Sequence, residues 1–360
     1  MHVQSPPYRL DIGQGLIGVA DLVEEIARVY GYDRIPETLL ADTLPPQRGD
    51  RLQEIEEDLR DHLAGLGLQE IITYRLTTPE RDGRTGEVES GAPYVRLANP
   101  IASDRVVLRR SLLTSVLETV ESNRRLRESI AVFEIGPVFL MAAGASLPEE
   151  TRQVVLALTG RRRGRGWQPD DDGLFDFYDL KGIVLQALQA MHVDSLQLRP
   201  AEHPAFHPGK CAEVLAGDRR LGVIGEIHPH VRSRFELGDS PVSAAELDLQ
   251  SVLEAAPERV AIVPVPSFPP VLEDLAFIVE EGVPAGEVEA QLRAAGGPLL
   301  SQVRLFDVFR GEQIGEGRKS LAYSLVYQAR DRTLTDEEIA GLRGAIVTRL
   351  ENALGAKLRG

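Results

Sequence analysis

In the stretch DLVEEIARVYGYDRIP, residues 21–36, three carboxylates stand at Asp21, Glu24 and Glu25 ahead of an apolar helical stripe, and a fourth, Asp11, closes the preceding PPYRLDI. That segment has strand character and the next has helix character, so strand end and helix start would bring four carboxylates together. Four oxygen ligands of this kind suit Mg2+ or Ca2+ and not zinc. The same residues also have a local use. Asp21 followed by Glu24 has capping-box spacing, and acids in a first turn favour the helix dipole. Arg28, one turn after Glu24, competes as an ion-pair partner.

Other residues capable of chemistry are fewer. HPAFHPGK holds His203 and His207, and HPH holds His228 and His230. The prolines keep these segments extended and no acid sits at a zinc-ligand spacing, so the four read as structural histidines at strand ends. No phosphate loop of the G-x-x-x-x-G-K-S/T type is present; GEGRKS is too short and falls between two predicted strands. Cys211 has no nucleophile elbow or recognisable histidine context. No autonomous catalytic constellation assembles from the sequence.

The elements that must position these residues follow from periodicity. A helix from Asp50 carries Leu52, Ile55, Leu59 and Leu63 on one face, and LQEIITYRL reads as a buried strand. The longest helix is expected after LANPIASD, with Leu112, Leu113, Val116, Leu117 and Val120 as its stripe. IAVFEIGPVFL and RQVVLALTG read as strands, DLKGIVLQALQAMH as a helix, and CAEVLAGDRRLGVIGEIHPHV as a hairpin around Gly217-Asp218. Helices interleaved with a largely antiparallel sheet make the fold class α+β. The proline-rich 37–50 reads as a linker, and the five prolines of 257–270 mark a boundary.

Beyond that boundary the order is strand, helix, strand, strand, helix, short strand: a ferredoxin-like βαββαβ module of a kind many RNA-binding proteins share. Thr335 and Glu338 have capping-box spacing. Tyr323 and Tyr327 alternate with Leu321 and Leu325 and read as core, while Phe306 and Phe309 could stack on bases. Arg318, Lys319, Arg330 and Arg332 flank this strand and could reach RNA phosphates. From residue 265 on, 11 Lys/Arg stand against 14 Asp/Glu.

A net charge of -15 over 360 residues repels phosphate, so any nucleic-acid contact must be local. The arginines of TGRRRGRGW, followed at once by PDDDG, read as a solvated loop of mutually screened charges. A single cysteine excludes an internal disulfide and any Cys-rich zinc module. With no apolar run of membrane-spanning length and no secretory leader pattern, the expected location is cytoplasmic and no membrane is expected as a partner.

Taken in order, YRLDI with DLVEEIARVYGYDRIP, LANPIASDRVVLRRSLLTSVLE, VFEIGPVF, FYDLKG, HPAFHPGKCAEV, GEIHP, FPPVLEDLAF, LFDVFRG, GRKSLAYSLVYQ, RTLTDEEI and the terminal LRG resemble the carboxyl-terminal part of the bacterial phenylalanyl-tRNA synthetase β subunit. The resemblance implies three parts: 1–40, the tail of a winged-helix-like domain; 41–258, a noncatalytic class II synthetase-like antiparallel-sheet core; 265–360, a ferredoxin-fold anticodon-binding domain. It implies a catalytic α subunit that binds ATP and phenylalanine, an (αβ)2 complex, tRNAPhe as a ligand, and Mg2+ shared with α through Asp11, Asp21, Glu24 and Glu25. The segment IGQGLIGVA between the first two of these acids is longer than the family's usual one. The stripe on the Leu112–Val120 helix becomes a candidate α-contact surface. Without the family's amino-terminal editing region, hydrolysis of mischarged tyrosyl-tRNA is not expected. The rival reading is a free-standing RNA-binding or regulatory protein with a synthetase-derived fold.

Overall fold

The computed structural model of the chain describes residues 2–38, 49–88, 91, 93–142, 144–163, 167, 173–262 and 264–359. Most of the predicted linker and most of the RRRGRGWQPDDD segment lie outside those residues. The chain divides into two units, Met1–Gly49 and Asp50–Gly360.

In the first unit α1 spans Gly15–Tyr30 and ends at Gly31, which takes a positive φ. The expected strand over PPYRLDI is absent; that segment forms turns. Helix α1 also starts earlier than the capping-box spacing suggests. Leu16 to Ala20 continue the helix toward the amino terminus, so Asp21 falls in the second turn and caps nothing; Gln14 is the N-cap residue, without a side-chain bond. Gly18 permits a close fold-back: a Cβ there would lie 2.2 Å from the Gly13 carbonyl oxygen.

In the second unit the elements in chain order are α2 (Arg51–Gly65), β1 (Gln69–Glu70), β2 (Leu76–Thr77), α3 (Pro79–Asp82), β3 (Val107–Leu108), α4 (Leu112–Asn123), β4 (Ser129–Leu140), β5 (Glu149–Gly160), α5 (Phe177–Ala190), β6 (Leu196–Pro200), β7 (Phe206–Ala216), β8 (Arg219–Ile227), α6 (Pro229–Arg234), β9 (Val242–Asp248) and α7 (Leu249–Ala255). Seven strands form one sheet in the order β1-β4-β5-β9-β8-β7-β6. Every pairing in it is antiparallel except β1 with β4. One face packs under α2, α5 and α7 through Leu59, Leu63, Leu180, Val184, Leu188 and Val252. The other packs under α4 through Leu113, Val116, Leu117 and Val120.

Local chemistry explains the helix starts. Asp50 accepts from the Leu52 and Gln53 N–H groups at the head of α2, and Asp176 and Asp179 form a reciprocal capping box on α5. Three expectations change. LQEIITYRL gives only the short β1 and part of β2, with Ile72 and Tyr74 exposed between them. Helix α4 has 12 residues and is shorter than the carboxyl-terminal helix of 19. The α4 stripe is completely buried in the chain's own core, so it offers no surface to a partner.

Strand β4 runs unbroken through Gly136-Pro137. Proline is tolerated there because β1 pairs only with Val132 and Phe133, leaving the rest of that side of β4 without a strand among the described residues. The Arg109 segment takes the place: its guanidinium Nε donates to the Pro137 carbonyl at 2.9 Å and its own carbonyl accepts from Phe139 N–H at 3.0 Å. A Cβ on residue 136 would lie 2.5 Å from Arg109 Nη2, which explains the glycine.

The chain ends as β10 (Val271–Glu280), α8 (Ala285–Gly296), β11 (Leu300–Phe309), β12 (Arg318–Tyr327), α9 (Asp336–Leu354) and β13 (Lys357–Leu358), with sheet order β11-β12-β10-β13. This is the expected βαββαβ order. Thr335 and Glu338 close the expected capping box. Tyr323 and Tyr327 are buried with Leu321 and Leu325 as expected, and Tyr323 donates to the Ala285 carbonyl at 2.8 Å.

Candidate functional site

The four predicted carboxylates belong to the first unit, and arginine has reached them. Arg9 Nη2 lies 2.6 Å from Asp11 Oδ2 and 2.8 Å from Glu25 Oε1, bridging the two, and Arg28 takes the other oxygen of Glu25 at 2.7 Å. Asp21 Oδ2 accepts from the Gly13 N–H at 2.8 Å, a bond made possible by the fold-back at Gly18. Glu24 is exposed one turn away. The hydrogen bond from Arg9 holds the Asp11 carboxyl down at about 2, and Arg28 with Arg9 lowers that of Glu25, so both are charged at neutral pH.

The predicted basic residues of the carboxyl-terminal module are less uniform than their charges. Arg318 opens β12 opposite Glu280, is exposed, and makes no ion pair among the described residues; Arg330 is similar. Lys319 Nζ donates to the Glu281 carbonyl at 2.7 Å. Arg332 is held by Glu338 at 2.7 Å and by Asp331 at 3.2 Å. Phe306 is half exposed on β11, and Arg359 lies over the Phe309 ring at 5.1 Å.

The histidines do structural work at turns: His203, His207 and His228 each accept a backbone N–H on Nδ1. His203 has a second setting. With Glu87 and Glu246 it lines a cavity of about 660 Å3, together with Arg110, Gln153, Arg220 and Asp248. Burial raises the Glu87 carboxyl, and burial beside Glu87 pushes that of Glu246 well above the usual range. The Cys211 thiol is buried and pushed up to about 11, which makes it a poor nucleophile.

Comparison with known proteins separates these sites. Residues 35–249 match the phenylalanyl tRNA synthetase beta chain CLM domain, and residues 266–359 the ferredoxin-fold anticodon binding domain. The chain belongs to the phenylalanyl-tRNA synthetase β-chain family. It is 41% identical over 345 residues to the phenylalanine–tRNA ligase beta subunit of Symbiobacterium thermophilum, covering 94% of this chain and 38% of that one. The corresponding subunits of Geobacillus kaustophilus and Bacillus subtilis are 38% and 37% identical, each over 94% of this chain and 42% of theirs. The chain spans about two-fifths of the length of these relatives.

Within this β-chain family member, the four basic residues fall in the anticodon-binding match and the Glu87, His203 and Glu246 group in the CLM match, whereas Asp11, Asp21, Glu24 and Glu25 precede both. Sequence reasoning missed Glu87 and Glu246. The one signal in the sequence was Glu246 itself, an acid in the otherwise mostly apolar strand VSAAELD.

Proposed function

We propose that the chain serves as the β subunit, or a portion of one, of a phenylalanine–tRNA ligase. It is noncatalytic: an α chain binds ATP and phenylalanine, and this chain braces it and holds the anticodon end of tRNAPhe in a cytoplasmic (αβ)2 complex. The observation carrying this reading is the in-order pairing of the CLM match with the ferredoxin-fold match across residues 35–359. The seven-stranded, largely antiparallel sheet with helices on both faces supports a class II-like core over 41–258, and α1 supports a winged-helix tail over 1–40.

Magnesium belongs to the assembled complex on this reading. Asp11, Asp21, Glu24 and Glu25 supply the hard oxygens it prefers, but in the chain by itself they do not fit the ion, because Arg9 bridges Asp11 and Glu25 and Asp21 is engaged by Gly13. Arg9 and Arg28 must withdraw before an ion shared with α can enter.

Co-expression with an α chain carrying intact ATP motifs tests the reading. A stable, aminoacylating complex is expected, with no aminoacyl-adenylate from this chain alone. Asp21→Ala combined with Glu25→Ala is expected to raise the Mg2+ needed for half-assembly about tenfold, or ~1.4 kcal/mol. A chain that ignores α and binds tRNA as a monomer supports the free-standing alternative instead.

The basic residues make a separate prediction. Removing Arg318 or Arg330 is expected to weaken tRNA binding and reduce the salt slope by about 0.7–1 for each phosphate no longer neutralised. Arg332→Ala is expected to change it less, since Glu338 already balances that charge. The check is tRNA affinity measured across a salt series; equal slopes for all variants would remove these residues from the RNA surface.

A further inference from the structure

Three side chains from distant parts of the second unit meet at the cavity. Glu87 follows the turn at Gly83–Thr85, His203 lies between β6 and β7, and Glu246 sits in β9. Each offers a ligand atom within 4.8 Å of the other two, the only such trio of histidine, cysteine or acid side chains among the described residues. His203 Nε2 approaches Glu87 Oε1 to 3.8 Å, with the side chains 20% and 11% exposed. Glu87 Oε2 accepts from Ser111 Oγ at 2.6 Å, whereas Glu87 Oε1 is buried without a hydrogen-bond partner. An unsatisfied buried carboxylate oxygen facing a second carboxylate and an imidazole is costly unless a cation or proton lies between them.

We propose that Glu87, His203 and Glu246 form a binding site for a borderline divalent metal ion such as Zn2+, with water from the cavity completing its coordination. One imidazole nitrogen and two carboxylates match the three-protein-ligand pattern of open zinc sites, and two carboxylates balance the charge of a divalent ion. The cavity provides room for the remaining ligand. Coordination through Nε2 places the ring proton on Nδ1, in exchange for the 3.4 Å hydrogen bond that the Ala205 N–H makes there. The nearby charges are Asp82 and Asp248, which favour a cation, and Arg110 and Arg220, which oppose it. Arg220 is engaged by Glu213 at 2.9 Å and Arg110 by the Pro93 carbonyl at 2.6 Å. This site does not depend on the ligase reading or on the amino-terminal acids.

The test uses the full chain, Zn2+ for stoichiometry and Co2+ as a spectroscopic substitute. One tightly held Zn2+ per chain is expected, along with Co2+ visible bands of four- or five-coordinate intensity and no thiolate charge-transfer band. Glu246→Gln, which keeps the shape of the side chain and removes its charge, and His203→Asn are each expected to weaken Zn2+ binding by about 100-fold or more. No stoichiometric Zn2+ on the wild-type chain overturns the proposal directly, whatever the variants do. Undiminished binding in both variants also overturns it, by placing the ion elsewhere.

Discussion

Glu134→Ala is expected to destabilise the second unit by roughly 3–5 kcal/mol, the cost of leaving one member of a buried ion pair uncompensated. Arg109 is 1% exposed and Glu134 3%. The guanidinium Nη1 lies 3.0 Å from Glu134 Oε1 and donates to Thr73 Oγ1 at 2.8 Å, and that hydroxyl donates to the other Glu134 oxygen at 2.7 Å. Burial already pushes the Arg109 pKa below its ordinary value, and Glu134 is the main group that opposes this, with Asp82 adding to it. Urea denaturation of the isolated chain reads the loss. The double variant Arg109→Met with Glu134→Leu is expected to recover most of it, because neither buried charge then remains. A single Glu134→Ala that shifts stability by less than about 1 kcal/mol would put water, not protein, around Arg109.

Leu117→Ala is expected to cost about 2–5 kcal/mol in the chain without any partner. Leu117 packs with Leu113, Val116 and Val120 against Val155, Ala157 and Val223 of the seven-stranded sheet and is completely buried. Truncation therefore opens a cavity within this chain. Were the stripe a partner surface, the free chain would be unaffected and only assembly would suffer. Denaturation midpoints with and without an α chain distinguish the two.

What could be read from the residues was what local chemistry decides. The helices from Asp50 and Thr335 start where their caps say, and the carboxyl-terminal βαββαβ order follows from clean periodicity and short connections. The Asp21–Glu24 spacing misled because residues three apart are neighbours inside a helix as well as at its start, and the helix extends through Leu16 to Ala20 in spite of the weak helix formers Ile17, Gly18 and Val19. The Leu112–Val120 stripe was legible as apolar, but not as buried by the chain's own sheet, since that depends on strands made up to 130 residues later. Arg9 as the bridge between Asp11 and Glu25 needed PPYRLDI to turn at Pro6-Pro7, where the Arg9 N–H bonds the Pro6 carbonyl, and not to extend as a strand. Glu87, His203 and Glu246 meet only once β9 and the segment before β7 are in place, so no spacing could reveal them.

The strand order has a consequence for synthesis. β5 is flanked by β4, its immediate predecessor, and by β9, whose first residue follows about 80 residues after β5 ends. At about 5–20 residues per second, a ribosome needs roughly 4–16 s to make that stretch. Through that interval the nascent chain presents Val154 to Leu158 along an open strand edge, and it is there that holding by a chaperone would most improve the yield of correctly folded molecules.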